Sequence, residues 1–331
     1  VLTGLTGAAF VLLTLSRDIT QYHQNVMINI GADLVGVIVT SFVIIPIVRR
    51  AADGRVREHP RLDHRWFVDQ VCGATSSVQI MDTYSNLLDG PHTASFFQAV
   101  ELALEREAAV RILLLNPDSL SHTQHAHEPD NPSAYREIMR NLRELYAFRD
   151  TVRPASLSRN FSVRLYTAPP SVTIYGWDEK TLVSFLPAGR ISSQSAQLEV
   201  TTRSPLGEFA NEQFDSLWAM SMDLEKFMHL PVTLSDVNVT DQHFKVEFVR
   251  LDGRFYVDNW EIISEMARRT TEVTLAYSDY NQQVLNELTI VDRTQPKLHA
   301  ELSDRFQDKY GHNGRIFISL EPIREESRRR T

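Results

Sequence analysis

The sequence predicts an α/β protein built in three parts. These are an N-terminal transmembrane helical hairpin over residues 1–50, an α/β domain over residues 62–228 and a smaller α+β domain over residues 232–323. A polar linker, 51–61, and a charged tail, 324–331, complete the chain. Three observations carry this reading. Two apolar runs open the chain, strands and helices then alternate, and after residue 230 short strands mix with two helical patterns.

The second apolar run, 26–48, has no Lys or Arg and is followed at once by Arg49 and Arg50. At about 1.5 Å per residue it crosses a hydrocarbon core of roughly 30 Å. The first run, 1–16, is short for a span and is apolar from its first residue, so its helix is expected to extend upstream. Arg55 and Arg57 add to the positive charge after the second run, whereas the link 17–25 holds one Arg. Basic residues favour the cytoplasmic side, so the expected arrangement is a two-pass protein of the plasma (inner) membrane with the bulk of the chain in the cytoplasm. Asp33 is the one acid in the span, and a packing or oligomer contact suits it better than transport, because two helices make no evident pore.

The net charge is −8, which argues against general nucleic-acid binding. Cys72 is the only cysteine, so neither an internal disulfide nor a cysteine-based metal site is available. No cofactor is implied. The bilayer, a second copy of the chain, and an unidentified small ligand or protein are the expected partners.

Within the α/β domain a helix is expected from Leu62 to Gly73, and 77–83 (SVQIMDT) reads as a buried strand. A helix over 94–106, a strand over 110–115 and an amphipathic helix over 133–148 follow. The strand 161–166, a hairpin of 172–175 with 182–186, and a closing helix over 208–221 complete the domain. This alternation means parallel strands joined by crossover helices, with the hairpin added at one edge. Functional groups in such sheets gather beyond the carboxyl ends of the strands, which here carry Asp82, Tyr84 and Asn116.

This order, with the ending Phe214-Asp215-Ser216-Leu217-Trp218, resembles a phospholipase D-like domain over roughly residues 62–220. The resemblance implies a hairpin bearing His-x-Lys-x4-Asp, in which the His attacks phosphorus and the Lys neutralises phosphate charge. Here Ser171 stands where that His belongs, Thr173 where the Lys belongs, and Asp178 on the Asp. The Gly-Ser-x-Asn expected further along is replaced by Phe185-Leu186-Pro187-Ala188. The resemblance therefore implies a degenerate member that cannot run phosphohistidine chemistry.

Each candidate has a plainer reading beside the functional one. Asp82, Tyr84, Asn116, Ser171, Thr173 and Asp178 suit a small polar or phosphate-bearing ligand, but such residues also cap helices and close turns. His122, His125 and His127, with Glu128 alongside, are weak metal candidates, and a solvated loop explains them as well. Tyr277, Asp279, Tyr280 and Asn281 form an aromatic-polar strand end in the last domain.

The leading expectation is a membrane-anchored sensory or adaptor protein whose phospholipase D-like domain binds without catalysis. The rivals are a phosphodiester hydrolase using His122, His125 and Asp178 with a metal, and a purely structural membrane oligomer.

Overall fold

The structure is a computed structural model of the 331-residue chain. It describes residues 56–88, 90–119, 133–152, 155–168, 171–185, 195–236, 239–259, 261–264, 274–279, 282–291 and 294–322. The predicted transmembrane hairpin, with Asp33, Arg49 and Arg50, lies outside the described residues. No helix among the described residues is long and apolar enough to cross a membrane.

The first unit is an eight-stranded mixed sheet in the order β1-β7-β6-β5-β2-β3-β4-β8. Strands β2 (Ser77–Asp82), β3 (Ala109–Leu115) and β4 (Phe161–Tyr166) are parallel neighbours. Helices join them, as the alternation predicts. The first helix, α1 (His64–Gly73), precedes β2 and starts where the Asp63 carboxylate accepts the Trp66 N–H at 3.1 Å. Helix α2 (Thr93–Glu105) buries Phe96, Ala99, Val100, Ala103 and Leu104, one stripe of a 3.6-residue repeat. Helix α3 (Ser133–Thr151) and the short α4 (Ala155–Ser158) lead into β4.

The hairpin of β5 (Val172–Trp177) and β6 (Lys180–Phe185) joins the parallel strands at the edge of β2, antiparallel to it. The sheet then continues through β7 (Gln197–Thr201) to β1 (Arg57–His59). Residues 57–59, read as linker from sequence, are therefore an edge strand. Helix α5 (Pro205–Met220) is capped by Ser204 and begins with Pro205. A Cβ at Gly207 would stand 2.1 Å from the Thr201 carbonyl, so only glycine lets this helix lie so close to the end of β7. Strand β8 (Met222–Asp223) and helix α6 (Leu224–Met228) end the unit.

The second unit corrects the α+β expectation. Strands β9 (His229–Asp236), β10 (Val239–Leu251), β11 (Arg254–Asp258), β12 (Thr274–Asp279), β13 (Gln282–Ile290) and β14 (Phe317–Pro322) close into an antiparallel barrel. Their order is β10-β11-β14-β13-β12-β9. Residues 231–236 belong to β9, and residue 239 opens β10. Pro231 misleads there, because proline is rare inside sheets, yet it pairs with Lys245 in the ladder. Asp252 and Gly253 turn β10 into β11 with φ of 50° and 79°, both left-handed, as a two-residue hairpin turn requires. Leu230, Val232, Val246, Phe248, Val257, Ile262, Ile318 and Leu320 form one apolar cluster. Helix α7 (Pro296–Tyr310) adds a second through Leu302 and Phe306, and ends at the left-handed Gly311. Residues 261–264 form a single turn of helix.

The two units meet along α3 and α7. The Arg143 guanidinium donates to the Gln307 carbonyl at 3.0 Å, and Arg305 stands over the Tyr135 ring at 5.2 Å. Beside them Glu225 of α6 gathers Arg149 of α3 and Lys245 of β10 in ion pairs.

Candidate functional site

The carboxyl ends of β2 and β3 carry a buried polar cluster built around Asp82. Asp82 is 2% exposed although it ends a strand on the rim of the sheet. Its carboxylate accepts the Tyr175 hydroxyl proton and the Thr83 N–H, the latter at 2.7 Å. Its carbonyl accepts the Tyr166 hydroxyl at 3.3 Å. Tyr175 also lies 3.3 Å from the Ser85 hydroxyl, and the Ser85 N–H donates to the Asn141 side-chain oxygen at 2.7 Å. Strand β5 thus supplies Tyr175, β4 supplies Tyr166 and α3 supplies Asn141.

The phenols report the local field. Burial and then the Asp82 charge push Tyr166 up, and the same two causes push Tyr175 well above its ordinary value. Tyr84 is pushed up to about 12 by burial first, then by Glu137, whose carboxylate also hydrogen-bonds it, and by Asp82. All three phenols stay protonated donors, and the rim leans negative.

Asn116 closes the end of β3. Its N–H donates to the Tyr166 carbonyl at 2.8 Å, and its side-chain oxygen accepts the Asp118 N–H at 2.9 Å. It serves a turn at the rim. Thr173 is fully buried and shares the Tyr175 face of β5 by strand alternation. Continuing the β2–β5 register, in which Met81 faces Ile174, sets Thr173 beside Asp82. Ser171 is exposed just before β5. The Thr173 hydroxyl oxygen and the Asn141 side-chain nitrogen of this region make no hydrogen bond among the described residues.

Asp178 is the correction. It sits in the β5–β6 turn at φ 48°, at the opposite end of β5 from Ser171. Its carboxylate accepts the Ser76 N–H and hydroxyl, both at 2.8 Å, with the Thr75 and Ser77 N–H groups at 3.1 and 3.3 Å. Burial alone would raise its pKa, but the hydrogen bonds from Ser76, Thr75 and Ser77 outweigh that and hold the carboxyl below its ordinary value. Asp178 fastens the hairpin to the start of β2 and takes no part in the rim.

His122, His125 and His127 lie outside the described residues, as do Tyr280, Asn281 and the side chains of Tyr277 and Asp279. Among the described residues no group of three or more His, Cys, Asp or Glu is placed to hold a metal ion.

Sequence reasoning missed Tyr166, Tyr175, Ser85, Glu137 and Asn141. Asn141 was the most findable, because it interrupts the apolar stripe of Ile138, Leu142 and Leu145 with a polar group that is fully buried.

No protein-family model matches the chain, and no curated protein matches it. Among solved structures, the phospholipase D family member Nuc from Salmonella typhimurium is 11% identical, with 51% of this chain and 95% of that chain covered at a TM-score of 0.32. NucT from Helicobacter pylori is 10% identical, covering 51% and 98% at a TM-score of 0.32. TrmBL2, an archaeal chromatin protein with a novel mode of DNA binding, is 10% identical, covering 60% and 67% at a TM-score of 0.32. Likenesses at that score carry no argument about this chain, whose mixed α/β sheet stands on its own strand order.

Proposed function

We infer that this chain is a membrane-anchored cytoplasmic sensory or adaptor protein whose α/β domain binds a small ligand at the Asp82 rim without turning it over. One observation carries the reading. The Thr173 hydroxyl oxygen and the Asn141 amide nitrogen are buried beside a satisfied acid–phenol network and make no hydrogen bond among the described residues. A buried polar atom left without a partner costs about 1–3 kcal/mol, and a ligand with polar groups offsets that cost.

The chemistry of the rim favours recognition over bond-breaking. Thr173 has no charge, and the neighbouring phenols are donors held protonated. Asp82 and Glu137 make the site acidic, which disfavours a phosphate anion and favours an uncharged ligand rich in hydroxyl or amide groups. The Arg-flanked apolar runs at 1–50 supply the membrane reading.

The test is equilibrium dialysis of the purified chain against a small-molecule extract, read by mass spectrometry. The wild type is expected to enrich a neutral polar compound that Thr173→Val does not. Equal enrichment by both, or by neither, contradicts the assignment of the site.

A further inference from the structure

The joint between barrel and α/β domain encloses a lysine. Lys309, on the last turn of α7, is 2% exposed. Its ammonium nitrogen lies 3.8 Å from the Phe248 ring centroid on the barrel side and 4.3 Å from that of Phe227 on the α/β side. Among the described residues its hydrogen-bond partner is the Phe248 carbonyl at 2.9 Å. Next to it the Tyr310 hydroxyl accepts the Phe248 N–H at 2.8 Å and reaches the Met228 carbonyl at 2.6 Å, so it bridges the two units.

Among the described residues no carboxylate forms an ion pair with Lys309. Asp118 and Glu247 act on it only through space, and Glu247 is engaged by His312 at 2.7 Å. From α6, Glu225 is held by Arg149 and Lys245. Among the described residues His229 of β9 and Tyr310 of α7 are further titratable groups beside it. Aromatic faces and one carbonyl are poor compensation for a fully buried cation.

We propose that the joint is a proton-gated latch: Lys309 gives up its proton to stay enclosed between Phe227 and Phe248, and opening the joint returns it to water as the ammonium ion. Burial lowers this amine from an ordinary 10.5 to about 7, against the opposing pull of Asp118 and Glu247. A base lowered in the closed state disfavours closure below its open-state value. Closure therefore tightens about tenfold per pH unit between about 7 and 10, and this dependence is flat below about 7. Tyr310 is pushed up by burial, so its open-state ionisation opposes any further gain above its ordinary value of 10.0. His229, lowered by burial and by Lys245, weakens closure further below its ordinary 6.5.

The test uses the full chain with Cys72→Ser and dyes on Glu101→Cys and Arg254→Cys, which report the separation of the two units. Urea is set to half-open the joint. The wild type is expected to close about tenfold more tightly per pH unit between about 7.5 and 9.5, and Lys309→Met to stay flat. A flat wild type, or an unchanged slope in Lys309→Met, overturns the proposal. If the variant does not fold, the NMR titration of the Lys309 side chain in the wild type decides. A midpoint near 7 supports the latch, and one near 10.5 overturns it.

Discussion

Asp82 and Asp178 lie at opposite ends of the same strand. Asp82 ends β2 inside the phenol cluster, and Asp178 accepts the backbone N–H groups of Ser76 and Ser77 where β2 begins. The five steps from Ser77 to Asp82, at about 3.3 Å each, keep them roughly 17 Å apart, too far to share a ligand. The two acids therefore stand in separable surroundings: Asp178 fastens the hairpin, and Asp82 lies in the proposed binding rim.

Fastening predicts a stability effect alone. Asp178→Asn keeps a residue that tolerates the left-handed backbone but removes the charge from its hydrogen bonds with Ser76, Thr75 and Ser77. Unfolding free energy is expected to fall by about 1 kcal/mol, read by chemical denaturation, with ligand retention at the rim unchanged. Asp178 is lowered in the folded protein, so its contribution is full above its ordinary 3.8 and is lost as pH falls through the lower folded value. The variant and wild type should converge in that acid range.

The rim predicts the contrast between two conservative changes. Tyr175→Phe takes away the hydroxyl that meets Asp82 and Ser85, leaves a buried acid short of a donor, and should cost about 1–3 kcal/mol. Thr173→Val removes a hydroxyl with no protein partner, so stability should be unchanged or raised by up to about 1 kcal/mol. Thermal unfolding of both variants checks the order, and a large loss for Thr173→Val would mean that its hydroxyl has a structural task.

Glu225 should matter to the joint more than to either unit. It pairs with Arg149 and Lys245 and lies 3.4 Å from the His229 ring nitrogen. Burial raises its pKa, but hydrogen bonds from Lys245 and Arg149 prevail and hold it below its ordinary 4.5. Its contribution is therefore present above 4.5 and lost as pH falls through the lower folded value. Glu225→Gln should weaken closure of the joint by about 1 kcal/mol at neutral pH, measured by proteolysis between the units. Added salt should shrink the difference, because the side chain is one-third exposed.

The anchor proposal predicts lipid partitioning. The full chain should float with phosphatidylglycerol-containing vesicles, and removal of residues 1–50 should leave it in the aqueous fraction. Flotation of the shortened chain would move the membrane contact elsewhere.

Much of the α/β unit was legible in the sequence. Strand 109–115 ends in a run of buried apolar residues, 77–82 and 161–166 alternate buried apolar with polar positions, and α3 shows a clear stripe. The barrel was harder, because its strands announce themselves weakly. Pro231 stands inside β9, where proline is rare, and β13 opens with two glutamines. The short β1 is recognisable only through its partner β7. The site was half legible. Strand-end logic placed Asp82, Tyr84 and Asn116 at the rim, but Tyr166, Tyr175 and Asn141 converge from three elements whose approach is a tertiary fact. Asp178 was misplaced because its role follows from β5 running antiparallel to β2, which sends the turn to the other end of the sheet.

Phosphodiester turnover tests the central claim most directly. The purified full chain is incubated with bis(p-nitrophenyl) phosphate and the release of nitrophenolate is followed, with Asp82→Asn and Thr173→Val run in parallel. The account predicts no release above the uncatalysed rate from any of the three proteins. Turnover by the wild type that disappears in either variant would contradict it, and would make the Asp82 rim an active site.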